Sequence, residues 1–104
     1  MSLFNSLMRY KNEARVTSFD MHGDKKATAT LPCGKSILVY MSDQYIVGES
    51  EVAEAAEPPA AGFLLYNNWD TVGQGASKEA KRLGIEIHTF GAFGHKLDEL
   101  NGGC

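Results

Sequence analysis

The sequence of 104 residues has little of what marks several protein classes. It contains two cysteines, Cys33 and Cys104, which are too few for a disulfide scaffold and typical of a reducing cytoplasm. No stretch approaches the ~18 consecutive apolar residues of a membrane span. Near the N-terminus the basic residues follow the apolar ones, which is the reverse of a secretory signal. We therefore expect a cytoplasmic protein without a membrane partner.

Positive charge is also scarce, since 10 lysines and arginines stand against 13 acidic residues and give a net charge of −3. Bulk charge therefore does not favour nucleic acid as a partner, although a local basic patch stays open. Apolar residues make up 43% and charged residues 22%, as in ordinary globular domains. Without a repeat or a linker, the chain is expected to form one domain over residues 1–104, with a frayed tail at about 101–104.

The first half of the chain predicts a helix followed by three strands. Apolar residues recur at helical spacing over 3–13, and residues 14–21 are β-branched and aromatic with partial alternation. A polar turn at 22–25 joins this strand to a second one at 27–31, which makes an antiparallel hairpin. The run SILVYM at 36–41 is the most continuous apolar run of the protein, so it predicts a central strand buried on both faces.

The second half alternates helices with strands. The predicted elements are a helix between Gly48 and Pro58, a strand at 62–66, a loop at 67–75, a helix at 76–83, a strand at 85–90 and a helix at 91–100. Strands joined by helices imply right-handed crossovers and parallel pairing. The expected fold is a mixed α/β domain in the order α-β-β-β-α-β-α-β-α, with a five-stranded mixed sheet covered by helices.

The loop at 67–75 is the first candidate for a binding site, because ligands of open α/β sheets usually lie at the carboxyl ends of strands. It offers amides, an aromatic face and glycines before a helix N-terminus, namely Asn67, Asn68, Trp69, Asp70, Gly73 and Gly75. These groups suit a small polar or anionic ligand, such as a nucleotide. The alternative is a flexible loop in which Trp69 packs on the core.

A second candidate is a metal site on the first hairpin. Alternate residues of a strand share a face, so Asp20 and His22 would converge on one divalent cation, with Asp24 close behind. The alternative is a polar hairpin tip, because nothing else in the sequence completes a ligand set. No cofactor is expected on the first reading of the chain, and Mg²⁺ is the alternative.

The terminal helices carry apolar stripes that would suit a homodimer. The stripes consist of Leu3, Phe4, Leu7 and Met8 in the first helix and Phe93, Leu97 and Leu100 in the last. A sheet from so short a chain has limited room to bury both stripes, and leftover apolar surface commonly becomes a twofold interface. The alternative is that the two helices cap the two faces of the sheet.

The order of elements resembles the core of the restriction-endonuclease-like (PD-(D/E)xK) superfamily, in which a helix, three antiparallel strands, a helix and a fourth strand recur. The second half, with GFLLY, KEAKRLG and IEIHTF leading to a final helix, resembles the end of Mrr-type domains. This resemblance implies a metal-binding aspartate near the start of the second strand and a Glu/Asp-x-Lys triplet on the third. It also implies metal-assisted cleavage of phosphodiesters.

The catalytic residues that the resemblance implies are incomplete in this sequence. Asp24 stands for the aspartate, but the third strand has neither a carboxylate nor a lysine, and Lys35 only precedes it. Glu49 or Glu51 would serve only if the acid has migrated to the next helix. Since such cleavage needs at least two carboxylates around the cation, we expect a non-catalytic binding or interaction module on a nuclease-like scaffold. The alternative is a small metal-dependent nuclease that uses Asp20 or Asp24 with Glu49 or Glu51.

Overall fold

The computed structural model describes residues 3–42, 46–67 and 70–103. Its helices are α1 (Leu3–Asn12), α2 (Glu49–Ala56), α3 (Gln74–Leu83) and α4 (Phe90–Gly102). Its strands are β1 (Ser18–Met21), β2 (Lys26–Thr30), β3 (Ser36–Met41), β4 (Ile46–Val47), β5 (Phe63–Tyr66), β6 (Thr71–Val72) and β7 (Glu86–Thr89). The predicted mixed α/β fold is confirmed, and α4 extends to Gly102, into the segment expected to fray.

Five strands form one mixed sheet in the order β1-β2-β3-β5-β7. The first three are antiparallel neighbours, and β3, β5 and β7 run parallel, as the hairpin and the two crossovers predict. Strands β4 and β6 form a separate parallel pair that was not predicted. They are two residues long, which is too short for alternation to show in the sequence.

The sheet is covered on both faces, and each face has its own apolar cluster. Along β3, Val39 belongs to the cluster beneath α1 and α4, whereas Tyr40 belongs to the cluster beneath α2 and α3. Both side chains are fully buried, as is Leu64 on β5. The continuous apolar runs therefore mark the two strands with helices on both sides.

The apolar stripes of α1 and α4 are largely buried within the chain. Leu3, Leu7, Phe93 and Leu97 are at most 1% exposed, and half of Phe4 is accessible. Both helices lie on the same face of the sheet. This differs from the expected cap on each face, because the two right-handed crossovers place α2 and α3 together on the other face. The homodimer stays a prediction, but these stripes offer it little surface.

Tyr10 joins α1 to α4. Its hydroxyl donates a hydrogen bond of 2.6 Å to the carbonyl of Phe90, and its ring stacks on the Phe90 ring with centroids 5.2 Å apart. Burial raises the pKa of the Tyr10 hydroxyl above its ordinary value of 10.0, and the nearby Arg15 guanidinium opposes part of that rise. The neutral hydroxyl is therefore the form that the folded protein favours.

We expect Tyr10→Phe to lower the free energy of unfolding by about 1 kcal/mol at neutral pH, because the Phe90 carbonyl loses its donor and the ring contacts remain. The pKa of the folded state is the higher one, so this contribution is complete below pH 10 and declines above it. The deficit of the variant should thus shrink and then reverse in alkaline solution. Urea unfolding of both proteins across this range measures it, and a deficit independent of pH would contradict the expectation.

Candidate functional site

The loop after β5 is held together by its own polar groups. The Asp70 N–H donates a hydrogen bond of 3.0 Å to the Asn67 carbonyl, which closes the loop. The Asn67 side-chain amide donates one of 3.2 Å to Oδ2 of Asp70. Of the predicted ligand-binding residues, Asn68 and Trp69 lie outside the described residues. Asn67 and Asp70, two of the residues predicted to bind a ligand, are thus in contact with each other.

The Asp70 carboxylate is the most unusual group of this loop. Its side chain is buried, with 8% of the residue accessible, and Oδ1 has no hydrogen-bond partner in the described part of the chain. A buried acceptor without a donor costs about 1–3 kcal/mol, and a charged one costs more. Most buried polar atoms of native proteins are paired, so such an exception calls for a specific reason.

The loop lies at the carboxyl end of the parallel part of the sheet. Ser42, which directly follows β3, is fully buried, and its N–H donates to the carbonyl of Leu65 on β5 over 2.9 Å. After β6, the N–H of Gly73 donates to the carbonyl of Val47 on β4, also over 2.9 Å. The first bond joins the end of β3 to β5, and the second connects the candidate loop to the separate β4–β6 pair. The carboxyl ends of parallel strands are where open α/β sheets bind ligands.

The Glu49 side chain lies against the N-terminal turn of α3. Gly73 is the N-cap of α3, and Gly75 lies in its first turn. A Cβ atom on Gly75 would overlap the carboxylate of Glu49, which is in the first turn of α2. The negative carboxylate therefore faces the positive end of α3, where an anionic ligand had been expected to bind.

This arrangement gives Glu49 a measurable role in stability. Glu49→Gln should lower the free energy of unfolding by about 1 kcal/mol, because the carboxylate lies near the N-termini of both α2 and α3. Glu54→Gln is the matched control, since it removes the same charge near the C-terminal end of α2, where a negative charge is unfavourable. Urea unfolding at low and high salt compares the two variants. Equal effects, or a difference that salt does not reduce, would contradict the assignment.

The hairpin places two of its three candidate metal ligands on one face. Asp20 pairs with Thr28 in the β1–β2 register, and Nε2 of His22 lies 2.6 Å from Oγ1 of Thr28. Asp24 lies in the turn that follows. Within the three described segments, no three His, Cys, Asp or Glu side chains are grouped closely enough to hold a metal ion.

A groove of about 400 Å³ lies between this hairpin and the C-terminal end of α2. It is lined by His22, Gly23, Asp24, Lys25, Lys26, Tyr40, Glu54, Glu57, Pro58 and Pro59. The ammonium group of Lys26 closes one side by donating to the carbonyls of Glu57 at 2.6 Å and Pro59 at 3.3 Å. Local sequence patterns do not predict this groove, because it forms between segments about thirty residues apart.

Asp24, Glu49 and Glu51 of the nuclease alternative do not form a metal-holding group, as is true of all acidic residues in the described segments. Asp24 precedes β2 and Lys35 follows it, so the five residues of β2 separate them, about 17 Å of extended chain. Glu49 and Glu51 lie in the first turn of α2, where Oε2 of Glu51 accepts the N–H of Gly48 at 2.8 Å. The acidic residues facing the same groove as Asp24 are instead Glu54 and Glu57.

Comparisons with protein-family models, with curated proteins and with solved structures gave no match. Among the helices of the described segments, none has the length and apolar character needed to cross a bilayer. The functional proposal therefore depends on the geometry of the two candidate regions, the loop after β5 and the groove beside α2.

Proposed function

We propose that this chain is a small non-catalytic binding module that holds a ligand at the loop following β5. The observation that carries the proposal is the buried Oδ1 atom of Asp70, which has no donor in the described part of the chain. A ligand that donates a hydrogen bond to this atom would remove the cost of its burial. A carboxylate acceptor with the Asn67 amide beside it can bind such a ligand without any catalytic residue.

The chemistry of the loop favours a small polar ligand with hydrogen-bond donors. Asp70 supplies a carboxylate acceptor, and the Glu49 carboxylate lies beside the first turn of α3. Two carboxylates in this region repel an anion and attract an amine, an amide or the amino group of a nucleobase. We therefore propose a neutral or cationic ligand rather than an anionic one.

An NMR titration tests the site. The labelled protein is titrated with a panel of amines, neutral polar metabolites, nucleosides and nucleotides. The proposal expects the largest amide shifts at Asn67, Asp70 and Gly73, and stronger effects from nucleosides than from their phosphorylated forms. Shifts that cluster at the groove beside α2, with these three amides unmoved, would overturn it.

We also propose that the scaffold is of the restriction-endonuclease-like type. What supports this is the order of elements, in which α1 precedes three antiparallel strands, and α2 precedes the parallel strand β5. A scaffold of this type without an acid on β3 would retain binding and lack cleavage.

The alternative of a small metal-dependent nuclease using Asp20 or Asp24 with Glu49 or Glu51 also stays a proposal, and the acids that line the same groove as Asp24 are Glu54 and Glu57. Incubating the purified protein with Mg²⁺ or Mn²⁺ and plasmid DNA decides it. The proposal of a non-catalytic module expects intact plasmid. Cleavage that disappears in both Asp24→Ala and Glu54→Gln would establish the nuclease instead and place its metal in the groove.

A cytoplasmic location remains a prediction, and one observation opposes it. Cys33, in the turn after β2, is disulfide-bonded, and disulfides persist mainly in oxidising compartments. Labelling of free thiols in freshly quenched cells distinguishes the two cases. Rapid labelling of Cys33 would support the cytoplasm, and labelling only after reduction would exclude it.

A further inference from the structure

Strand β7 forms one end of the sheet, and its outer edge carries no strand in the described part of the chain. The Glu86 N–H donates to the carbonyl of Gly62 on the β5 side over 3.0 Å. In a parallel ladder, alternate residues direct their N–H and C=O groups to the same side. The N–H and C=O groups of Ile87 therefore point away from β5, toward the open edge.

The strand at this edge contains none of the residues that commonly block pairing. Natural edge strands are commonly blocked by lysine, proline, a bulge or a covering segment, and β7 itself contains no lysine or proline. A groove of about 310 Å³ runs beside it, lined by Ser77, Ala80 and Lys81 of α3 and by Ile85, Glu86, Ile87 and His88. The edge is thus accessible to an extended segment.

The sequence of β7 is complementary to itself in the antiparallel direction. With Ile87 of two copies opposite one another, Glu86 of each copy lies opposite His88 of the other. Within one chain, Nε2 of the His88 imidazole lies 3.3 Å from Oε1 of the Glu86 carboxylate, within hydrogen-bond distance. Glu86 is half exposed and also contacts Lys96 of α4 at 3.5 Å, so its carboxylate lies where a neighbouring copy would meet it.

We propose that two copies of this chain pair through β7 in the antiparallel direction and so form one continuous sheet about a twofold axis at Ile87. A twofold axis requires the same patch to complement itself, and the Glu86-Ile87-His88 segment does so in both hydrogen bonding and apolar character. The groups of Ile87 that point to the open edge supply the two central hydrogen bonds. Lys81 in the groove wall would face a like charge across the axis, so we expect association in the micromolar range.

Sedimentation equilibrium of the full chain from low micromolar to submillimolar concentration tests the interface. The wild-type protein should pass from monomer to dimer. Ile87→Pro should stay monomeric, because proline lacks the N–H that pairs across the axis, and that N–H points away from β5 and so takes no part in the β5–β7 ladder. Ile87→Val is the matched control, since it retains the N–H and should dimerise like the wild type. A wild type that is monomeric throughout, or a folded Ile87→Pro variant that still dimerises, would overturn the proposal.

If Ile87→Pro fails to fold, the variants Glu86→Lys and His88→Glu test the interface instead. Glu86→Lys should raise the dissociation constant about tenfold, because the twofold axis removes the contact of the Glu86 carboxylate with His88 at two positions. A mixture of Glu86→Lys with His88→Glu should form a heterodimer more readily than either variant forms a homodimer. A dissociation constant unchanged in Glu86→Lys, or dimers bound through another surface, would contradict pairing through β7.

Discussion

Replacing Phe93 with alanine should lower the free energy of unfolding by about 3–5 kcal/mol, which is a large fraction of the stability of so small a domain. Phe93 is fully buried on α4. Its ring lies 5.4 Å from the ring of Phe63 on β5, 6.0 Å from Tyr10 on α1 and 5.9 Å from the His88 imidazole on β7. The alanine variant would therefore leave a cavity at the point where four elements meet.

Phe4→Ala is the matched control for this cavity. Phe4 is half exposed, and its ring contact is with Phe19 at 5.7 Å, so its loss should cost about 1 kcal/mol or less. Urea unfolding of the two variants measures both effects. Similar losses in the two variants would mean that α4 is not packed against the sheet as described.

Asp70→Asn should separate the function of the loop from its stability. The amide keeps an acceptor for the Asn67 side chain but removes the charge that is buried with one oxygen unpaired. We therefore expect the free energy of unfolding to rise by about 1 kcal/mol. The affinity for the ligand should fall about 10- to 100-fold, because hydrogen bonds to a charged group contribute about 1.5–3 kcal/mol.

Asp98→Asn is the control for a carboxylate that has a partner at the surface. Asp98 pairs with the Arg15 guanidinium at 3.3 Å and is more than half exposed, so its replacement should change both quantities little. Calorimetric binding and urea unfolding at neutral pH compare the two variants. A loss of stability in Asp70→Asn with unchanged affinity would assign Asp70 to the structure of the loop alone.

Much of the fold was accessible from the sequence because burial on two faces leaves a clear pattern. The runs at 36–41 and 62–66 are largely apolar, and they became the strands with helices on both sides. The shared face of α1 and α4 was missed, although the handedness of the two crossovers determines it. The pair β4–β6 was missed for a different reason, since each strand has two residues, which is too few to show an alternating hydrophobic pattern.

The candidate site was predictable only where it depends on position along the chain. Asn67 and Asp70 follow a buried strand, and this position alone made them candidates for a ligand-binding loop. The contact of Glu49 with Gly75 depends on the close approach of α2 and α3, and three of the four buried residues on these two helices are alanines, Ala55, Ala76 and Ala80. The distance between two helices is set by how their side chains pack against each other, so it cannot be predicted from local sequence patterns.

The Asp70 carboxyl group itself provides the most direct test of the binding proposal. Its side-chain ¹³C resonance can be followed while the labelled protein is titrated with each member of the polar panel, and the Asp98 resonance serves as the internal reference. The proposal expects at least one amine, amide or nucleoside to shift the Asp70 carboxyl signal in a saturable way and to leave Asp98 unchanged. A ligand that saturates the protein without moving the Asp70 signal would contradict it.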